Sequence, residues 1–446
     1  MGRRPSGPGP VSPLPPLAGQ ADLTEDTLHA SLSDAALESM NFLNEIGMRY
    51  PDAISFASGR PTEDFFDVGL IHSYLATYCG HLTQERGWSG DQVRRLLFQY
   101  GRTKGIIGDL VARHLELDEN ITVDPESIVV TVGCQEAMFC VLRALRRDER
   151  DVVLAVDPTY VGLTGAALLA DMPVWPVHSG PSGIDLDDLS AQAGRARAAG
   201  LRPRACYVIP DFANPVGVSL SLPLRRSLLD CAAREGLLLL EDNPYGLFHD
   251  GEALPTLKAL DTSRRVVYLG SFAKTGFPGA RVGYVVADQR VGGRQGEISL
   301  FADQVSKIKS MVTVNTSPVA QALVGGKLLE CGCRLTAANQ RETQIYQRNL
   351  HQVLDGLAAR FGEPGTGVSW NRPRGGFFIV VTVPFTADDA LCEYSAREHG
   401  VIWTPMSHFY TNGGLTQLRL AFSQLTPEQI ETGLDRLAAL IKTARQ

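Results

Sequence analysis

Polar side chains and glycines follow five of the strands that the sequence predicts, each at the point where a strand ends. After the apolar run SIVVTV comes Gly133-Cys134-Gln135 at the start of a helical pattern, where free backbone N–H groups and the helix dipole can hold a phosphate. Tyr160 follows the run DVVLAV and would place an aromatic ring near the same rim. Because ligands bind beyond the carboxyl ends of strands in open α/β sheets, we expect these residues to lie together. The other strand ends supply Asn214, Asp242, Tyr245, Ser271 and Lys274.

The elements that must position these residues alternate along the chain between about residues 100 and 290. Helical patterns separate six short, densely apolar runs, namely SIVVTVG, DVVLAVD, RACYVIPDF, GLLLLEDN, RVVYLGSF and ARVGYVVAD. Continuous apolar strands of this kind predict a mostly parallel sheet covered by helices on both faces. After about residue 330 come a helical pattern from Arg341 to Leu357, the strands GGFFIVVTV and LTQLRLAFS, and a terminal helix. We therefore predict a three-layer α/β/α large domain and a smaller α+β domain.

Composition and charge exclude several classes of protein. The formal net charge of -7 and the pI of about 5.8 provide no basic field for nucleic acid. No stretch approaches the roughly 18 apolar residues that span a bilayer, and the N-terminus lacks the apolar region of a signal peptide. The eight cysteines include no CxxC pair and none is paired with His at zinc-ligand spacing. We expect reduced thiols, no metal site, no nucleic-acid or membrane partner, and a cytoplasmic location.

Singly, the residues at the strand ends are weak signals, because an Asp there is more often a helix cap and a Lys more often a solvated surface residue. Together and in this order, with the motifs NPVG, EDNPY and SFAKTGFPGARVGY, they resemble the fold-type I pyridoxal-phosphate aminotransferases of class I/II. The resemblance covers about residues 50–440. Its most specific stretch sets Lys274 and Arg281 seven residues apart, with Pro278 and Gly279 between them.

The resemblance implies a role for each residue that would hold the cofactor ring. Lys274 would form the Schiff base with the cofactor aldehyde and later carry the proton between Cα and C4′. Asp242 would pair with the pyridine nitrogen. Asn214 and Tyr245 would donate hydrogen bonds to the phenolic oxygen, and Tyr160 would stack over the ring.

The resemblance also implies a phosphate cup that two subunits share. The backbone at Gly133-Cys134-Gln135, the hydroxyl of Ser271 and the guanidinium of Arg281 would bind the phosphate. In relatives a tyrosine of the neighbouring subunit completes the cup, and Tyr100 matches it, so we expect a homodimer with shared sites. The segment after Tyr100 departs from the usual pattern. At Cys134, where relatives often have Ala or Ser, we expect the thiol to be a bystander.

The resemblance implies that four residues bind the substrate. Arg419, in LRLAFS, matches the arginine that binds the substrate α-carboxylate with a planar fork, and Asn214 would also bind the substrate. Gly59 matches a backbone turn beside the substrate. Arg60 would bind a hydroxyl or carboxylate at the distal end of the substrate, or would only form an ion pair with a nearby acidic side chain.

The resemblance and the motifs also predict how the chain divides. Residues 1–22, rich in Pro and Gly, would form a flexible arm, and residues 23–60 an N-terminal helix with a segment that joins the small domain. The helix follows from apolar residues at helical spacing between Leu32 and Met48. Residues 61–330 would form the large cofactor-binding domain and residues 331–446 the small C-terminal domain.

The segments MNFLNEI and DAISFASGRPTEDFFD make the chain most similar to the transaminases that produce hydroxyphenylglycine or dihydroxyphenylglycine for nonribosomal peptide antibiotics. Tyrosine or another common L-amino acid would donate the amino group to an aryl 2-oxo acid. An aryl ring needs a flat apolar slot. Aromatic side chains that could line the slot, or belong to the core, are Phe65, Phe66, Trp88, Phe377, Phe409 and Tyr410.

Two other functions stay open, and two more are disfavoured. A 2-aminoadipate or aromatic amino-acid aminotransferase is the broader alternative, and a lyase or cyclase would use the same cofactor on the same fold. A transcription regulator that carries an aminotransferase-like domain is disfavoured, since its DNA-binding module needs about 60 residues or more before that domain. A non-catalytic protein is disfavoured because the whole set of site residues is present.

Overall fold

The computed structural model of the protein describes residues 23–249, 251 and 253–445, so the arm predicted for residues 1–22 lies outside the described part. The strands are β1 (Ile54–Ser55), β2 (Ile128–Val132), β3 (Asp151–Asp157), β4 (Val174–Gly180), β5 (Gly183–Ile184), β6 (Arg202–Val208), β7 (Leu238–Asp242), β8 (Val266–Ser271), β9 (Val282–Val286), β10 (Arg290–Gly292), β11 (Ile298–Leu300), β12 (Ser369–Trp370), β13 (Phe378–Thr382), β14 (Val401–Ile402), β15 (Thr404–Pro405) and β16 (Gln417–Ala421).

The α-helices connect and cover these strands. They are α1 (Ala35–Arg49), α2 (Val68–Gly80), α3 (Gly90–Phe98), α4 (Gly108–Glu119), α5 (Gly133–Leu145), α6 (Val161–Leu169), α7 (Leu186–Ala198), α8 (Leu222–Arg234), α9 (Leu257–Leu260), α10 (Phe301–Val312), α11 (Pro318–Glu330), α12 (Leu335–Ala338), α13 (Gln340–Phe361), α14 (Asp389–Tyr394) and α15 (Pro427–Ala444). Within the described ranges, none of them combines the length and the apolar character that crossing a bilayer demands.

An eight-stranded sheet in the order β2-β9-β8-β7-β6-β3-β4-β5 forms the centre of the larger part of the molecule. Strands β4, β3, β6, β7 and β8 run parallel to one another, whereas β9 is antiparallel to both β2 and β8. The prediction of a mostly parallel sheet is therefore confirmed. The carboxyl ends of the parallel strands lie at one edge of the sheet, which is where ligands bind in open α/β sheets.

Helices cover both faces of this sheet, which is why its strands are apolar on both sides. One face packs against α5, α6 and α10 through side chains such as Leu142, Leu163 and Val305. The other face packs against α7 and α8 through Leu189 and Leu228. These two apolar clusters make the three layers that the sequence pattern predicts.

A second, four-stranded antiparallel sheet, in the order β12-β13-β16-β15, lies nearer the C-terminus. It shares a core with α13 and α15, in which Trp403 is fully buried. Strand β1 pairs in parallel with β14, with Ile54 opposite Val401, so the chain after α1 lies against this second unit. The bounds of the two domains themselves stay a prediction.

Two helix predictions need adjustment at their ends. Helix α1 begins at Ala35 rather than near Leu32, because Ala30–Ser33 form a separate 3-10 turn. Helix α13 continues past the predicted end at Leu357 because Phe361 still packs into the same core.

The loop between β6 and α8, which carries Asn214, is tied down by a buried arginine. The guanidinium of Arg225 donates to the carbonyl oxygens of Leu220, Pro255 and Pro210 at 3.0, 3.0 and 3.2 Å. It also pairs with the Asp211 carboxylate. The arginine itself is fully buried, so its charge and its hydrogen bonds together hold both ends of the loop.

Arg225→Ala should therefore lower the free energy of unfolding by about 3–5 kcal/mol, since it leaves the buried Asp211 carboxylate and three carbonyl oxygens without a donor. Chemical denaturation with detection by circular dichroism measures the change. The matched control is Arg226→Ala, which removes the neighbouring exposed arginine and should change stability by less than about 0.5 kcal/mol. Equal effects of the two substitutions would contradict this role of Arg225.

Candidate active site

A cavity of about 460 Å³ opens at the carboxyl ends of the parallel strands. It brings together residues that lie far apart in the sequence and that were predicted to share a site. The lining includes Gly59, Cys134, Gln135, Tyr160, Asn214, Asp242, Tyr245, Ser271, Lys274, Arg281 and Arg419. Most of these residues lie at or just after the ends of strands of the large sheet, and β16 of the small sheet supplies Arg419.

Lys274 follows β8 and points its amine into this cavity. Its Nζ donates a hydrogen bond of 2.7 Å to the carbonyl oxygen of Gly59. Burial, followed by the positive charges of Arg281, Arg419 and Arg60, lowers the pKa of Lys274 to about 8. A lysine with such a pKa has an appreciable fraction of neutral amine near neutral pH, and the neutral amine is the form that attacks a carbonyl carbon.

Gly59 is required by close packing. A Cβ at this position would lie 2.5 Å from Cζ of Phe378, so any side chain would push the segment away from Lys274. The chain therefore passes close enough to the site for its carbonyl to hold the lysine amine.

Asp242 ends β7 and is 3% exposed. Tyr207 of β6 donates a hydrogen bond of 2.6 Å to its Oδ2, and the Cys134 thiol lies 3.5 Å from its Oδ1. Burial raises the pKa of Asp242 to about 6, while both of these hydrogen bonds lower it. The carboxylate is thus a well-placed acceptor facing the cavity.

Sequence reasoning missed the contact of Tyr207 with Asp242, and it did not predict that the Cys134 thiol contacts the same carboxylate. Tyr207 pairs with Leu240 in the sheet, so Asp242 lies two residues further along on the same face. A hydroxyl-bearing residue in the otherwise apolar run ACYVI was the signal available for Tyr207. The contact between the Cys134 sulfur and Asp242 depends on the residue at which α5 begins. The sequence pattern defines that residue only to within a few positions.

The start of α5 and Arg281 form a cradle for an anion. Gly133 has φ of +70°, and a Cβ there would lie 2.6 Å from Nη2 of Arg281. A Cβ at Gly283 would lie 2.7 Å from the backbone nitrogen of Cys134. Both glycines therefore keep the helix N–H groups close to the guanidinium. Two positive elements that converge in this way fit a phosphate group.

Arg419 is 5% exposed and reaches the cavity from the small sheet. Its Nη1 donates to Oδ1 of Asn214 at 2.6 Å, and its Nη2 donates to the carbonyl oxygen of Ala57 at 2.9 Å. The guanidinium lies between the rings of Phe378 and Phe409, at 4.4 and 4.7 Å from the ring centroids.

Among the described residues, this guanidinium has only neutral hydrogen-bond partners, namely Asn214, Ala57 and Thr404. Burial lowers the pKa of Arg419 to about 10, and its Nε has no hydrogen-bond partner among the described residues. A buried cation in this position is stabilised by a bound carboxylate, which its planar fork can hold with two hydrogen bonds.

The two tyrosines of the cavity remain protonated. Burial raises the pKa of Tyr160 to about 12, and it raises the pKa of Tyr245 further. Tyr245 packs edge-on against Phe377 and Phe378, with centroids 5.1 and 5.7 Å away. Gln135 is fixed by its hydrogen bond of 2.5 Å from Nε2 to the Gly162 carbonyl, which joins α5 to the turn that carries Tyr160.

Two predicted residues, Tyr100 and Arg60, do not line this cavity, whereas Ser271 does. Tyr100 is 85% exposed. Arg60 is exposed, and its backbone carbonyl accepts a hydrogen bond from Ser423. The backbone nitrogen of Ala273 donates to the Ser271 hydroxyl at 3.2 Å, which holds that side chain in the turn before Lys274.

The aromatic candidates for an aryl slot are spread over several places. Phe409 contacts Arg419, and Phe377 is fully buried. Tyr410 lines a separate apolar cavity, and Trp88 lines another one with Tyr78. Phe65 and Phe66 line a further cavity, which also reaches Lys274.

Comparisons with known proteins agree with this geometry. The model of the family "Aminotransferase class I and II" matches residues 91–437. The chain belongs to this family. It is thus a pyridoxal-phosphate-dependent aminotransferase of fold type I, as the motifs predict.

Relatives of this aminotransferase differ in their named substrates. It is 60% identical, over 95% of both chains, to (S)-3,5-dihydroxyphenylglycine transaminase of Amycolatopsis orientalis. It is 30% identical to 2-aminoadipate transaminase of Thermus thermophilus, over 88% of this chain and 91% of that one. The solved structure of a kynurenine aminotransferase of Pyrococcus horikoshii is 25% identical, with a TM-score of 0.78, and covers 95% of this chain and 98% of that chain.

Arg419→Ala in this aminotransferase should raise the KM for every substrate that carries an α-carboxylate by about 10- to 100-fold, because charged hydrogen bonds common to all of them are lost. Steady-state kinetics with several amino acids measures the change. Arg419→Lys keeps the charge but loses the planar fork, so it should recover only part of the loss. An unchanged KM in the alanine variant would place the carboxylate elsewhere.

Proposed function

We propose that this aminotransferase moves an amino group from an L-amino acid, such as tyrosine, to an aryl 2-oxo acid, and so makes an arylglycine such as dihydroxyphenylglycine or hydroxyphenylglycine. The observation that carries the proposal is the identity of 60% over 95% of both chains with the dihydroxyphenylglycine transaminase. The aromatic-amino-acid and 2-aminoadipate enzymes are only 28% and 30% identical. The lower identities make those two activities the alternatives.

The cofactor-facing residues fit this chemistry. When bound, pyridoxal phosphate joins covalently to a lysine amine and withdraws electrons from the substrate Cα. We assign the amine to Lys274, whose low pKa and position beside Gly59 suit it to accept and return the Cα proton. Asp242 would accept a hydrogen bond from the pyridine nitrogen. Tyr160 would lie against the ring face.

The hydrogen-bonding groups around the ring complete the assignment. Asn214 and Tyr245 would donate to the phenolic oxygen, and Asn214 is held in place by Arg419. The N–H groups of Gly133 and Cys134, with Gln135 beside them, would bind the phosphate together with the side chains of Ser271 and Arg281.

The substrate would bind between the two sheets. Its α-carboxylate would take the free hydrogen-bonding capacity of Arg419, whose Nε is otherwise unpartnered among the described residues. Its Cα would then lie next to Lys274, beside the Gly59 backbone. Arg60, at the mouth of this region, would face the distal end of the substrate.

We further propose that the enzyme works in the cytoplasm and supplies an arylglycine for antibiotic assembly. All eight cysteines are free thiols, and free thiols are typical of a reducing compartment. Arylglycines are nonproteinogenic amino acids, so a dedicated transaminase fits a specialised biosynthetic route. The support for that route is the similarity to the dihydroxyphenylglycine enzyme.

We propose that the enzyme is a homodimer with shared active sites. The exposed fractions of Phe98, Tyr100 and Met311 are 84%, 85% and 85%, and large apolar side chains so exposed are typical of a protein interface. A second cavity, of about 470 Å³, reaches Lys274 from outside and is lined by Phe66. Tyr100 of a second subunit would approach the phosphate from this side.

The substrate proposal predicts a preference that one assay measures. With L-tyrosine as donor, 3,5-dihydroxyphenylglyoxylate should be used with a kcat/KM about 100-fold higher than 2-oxoadipate, because a slot shaped for an aryl ring leaves a flexible acid poorly bound. Chromatography of the amino-acid products measures both rates. A higher kcat/KM for 2-oxoadipate would favour the 2-aminoadipate alternative, and ammonia released without any acceptor would indicate a lyase.

The shared-site proposal predicts complementation between two inactive variants. Lys274→Ala and Tyr100→Ala should each be nearly inactive alone. After the two proteins are unfolded and refolded together, activity should return to about a quarter of the wild-type value, since about half of the dimers are hybrids with one intact site. Refolding each variant alone is the control. No gain on mixing would contradict a site shared between Lys274 and Tyr100.

A further inference from the structure

Asp242 is held from two sides by side chains of different elements. The Tyr207 phenol, on β6, donates to Oδ2 at 2.6 Å, and the Cys134 thiol, on α5, lies 3.5 Å from Oδ1. Tyr207 and Asp242 are 1% and 3% exposed. Because water is largely excluded, these two contacts decide how the carboxylate is oriented.

The two contacts face different spaces. Asp242 and Cys134 line the active-site cavity. Tyr207 does not; it is among the residues that line a separate apolar cavity of about 360 Å³ between the large and small sheets. Oδ2 is therefore engaged from the protein interior, and Oδ1 is the oxygen that faces the site beside the thiol.

We propose that Tyr207 is a positioning residue, which fixes the Asp242 carboxylate so that Oδ1 is presented to the pyridine nitrogen of the cofactor, and that the Cys134 thiol is a second, weaker donor to the same carboxylate. This inference rests on the proposed function, in which Asp242 pairs with the pyridine nitrogen of the cofactor. Neither residue exchanges a proton with the substrate.

The donors suit this role because both remain protonated. Burial and the nearby Asp242 carboxylate raise the pKa of the Tyr207 phenol and of the Cys134 thiol well above their usual values. Burial also raises the pKa of Asp242 to about 6, and the hydrogen bonds from the two donors lower it. The ionisable side chains that interact with Asp242 include Tyr207, Cys134, Tyr160 and Tyr245. The charged side chains of Lys274, Arg281 and Arg419 line the same cavity.

The sign of the pH effect follows from these groups. The carboxylate of the cofactor-free protein pairs with a protonated pyridine nitrogen only when it is ionised. The contribution of this pair to cofactor affinity is therefore full above the pKa of Asp242 and is lost as the pH drops through about 6. Loss of the Tyr207 hydroxyl removes a donor to the ionised form, so it raises this midpoint.

The test is a titration of cofactor-free protein with pyridoxal phosphate at a series of pH values on both sides of 6. The dissociation constant is measured by fluorescence. In Tyr207→Phe the midpoint should rise by about one pH unit, and affinity below the midpoint should fall by about tenfold. An unchanged midpoint would overturn the proposal.

Tyr268→Phe is the matched control. Tyr268 is as buried as Tyr207, but its hydroxyl donates to the Glu119 carboxylate, at 2.9 and 2.6 Å from the two oxygens. This variant should keep the wild-type midpoint. An equal shift in both variants would mean that any lost buried hydroxyl has the effect, and would overturn the proposal as well.

Two further variants make the result independent of how well Tyr207→Phe folds. Cys134→Ala should raise the midpoint by less than Tyr207→Phe does, whereas no shift would overturn the role of the thiol. Asp242→Asn should abolish the pH dependence near 6. If Asp242→Asn retained it, the proposed pairing of Asp242 with the pyridine nitrogen would fail, which separates that failure from a failure of Tyr207 alone.

Discussion

Basic side chains crowd one cavity, and most of the architecture can be understood as the means of holding them there. Burial, followed by the positive charges of Arg281, Arg419 and Arg60, lowers the pKa of Lys274 to about 8. Burial alone lowers the pKa of Arg419 to about 10. Charges of one sign in a poorly hydrated space repel one another and lose hydration. A phosphate and a carboxylate relieve both costs, so the cavity is built for an anionic cofactor and an anionic substrate.

The segment between α1 and α2 connects the two sheets that supply these charges. Strand β1 pairs with β14 of the small unit. A few residues later the Ala57 carbonyl accepts from Arg419 and the Gly59 carbonyl accepts from Lys274. Arg419 in turn holds Asn214 of the large sheet at 2.6 Å. A movement of one sheet relative to the other would therefore change the position of the amine and of the carboxylate site together, which suits an enzyme that must exchange one substrate for another.

Buried polar groups behind the site hold the residues that line it. Arg225 holds the ends of the loop that carries Asn214, and Tyr207 holds Asp242 from the protein interior. Each satisfies a polar group that would be costly to bury alone. Arg225 and Tyr207 do not line the active-site cavity, but the residues whose positions they fix, Asn214 and Asp242, do.

The amino-acid sequence by itself determined the family, the cofactor, the mostly parallel sheet and the residues at the strand ends, because those signals are local. Lys274 and Arg281 lie in one short stretch, and each strand is predicted by the apolar run that forms it. Only the tertiary structure decided which distant side chains meet. That Tyr207 reaches Asp242 depends on the register of β6 against β7. The separation of Trp88 from the site and the place of Phe409 on Arg419 depend on how whole elements pack. Such contacts join residues whose spacing in the sequence follows neither helical nor strand periodicity. The packing of the folded chain determines them, and the sequence pattern does not.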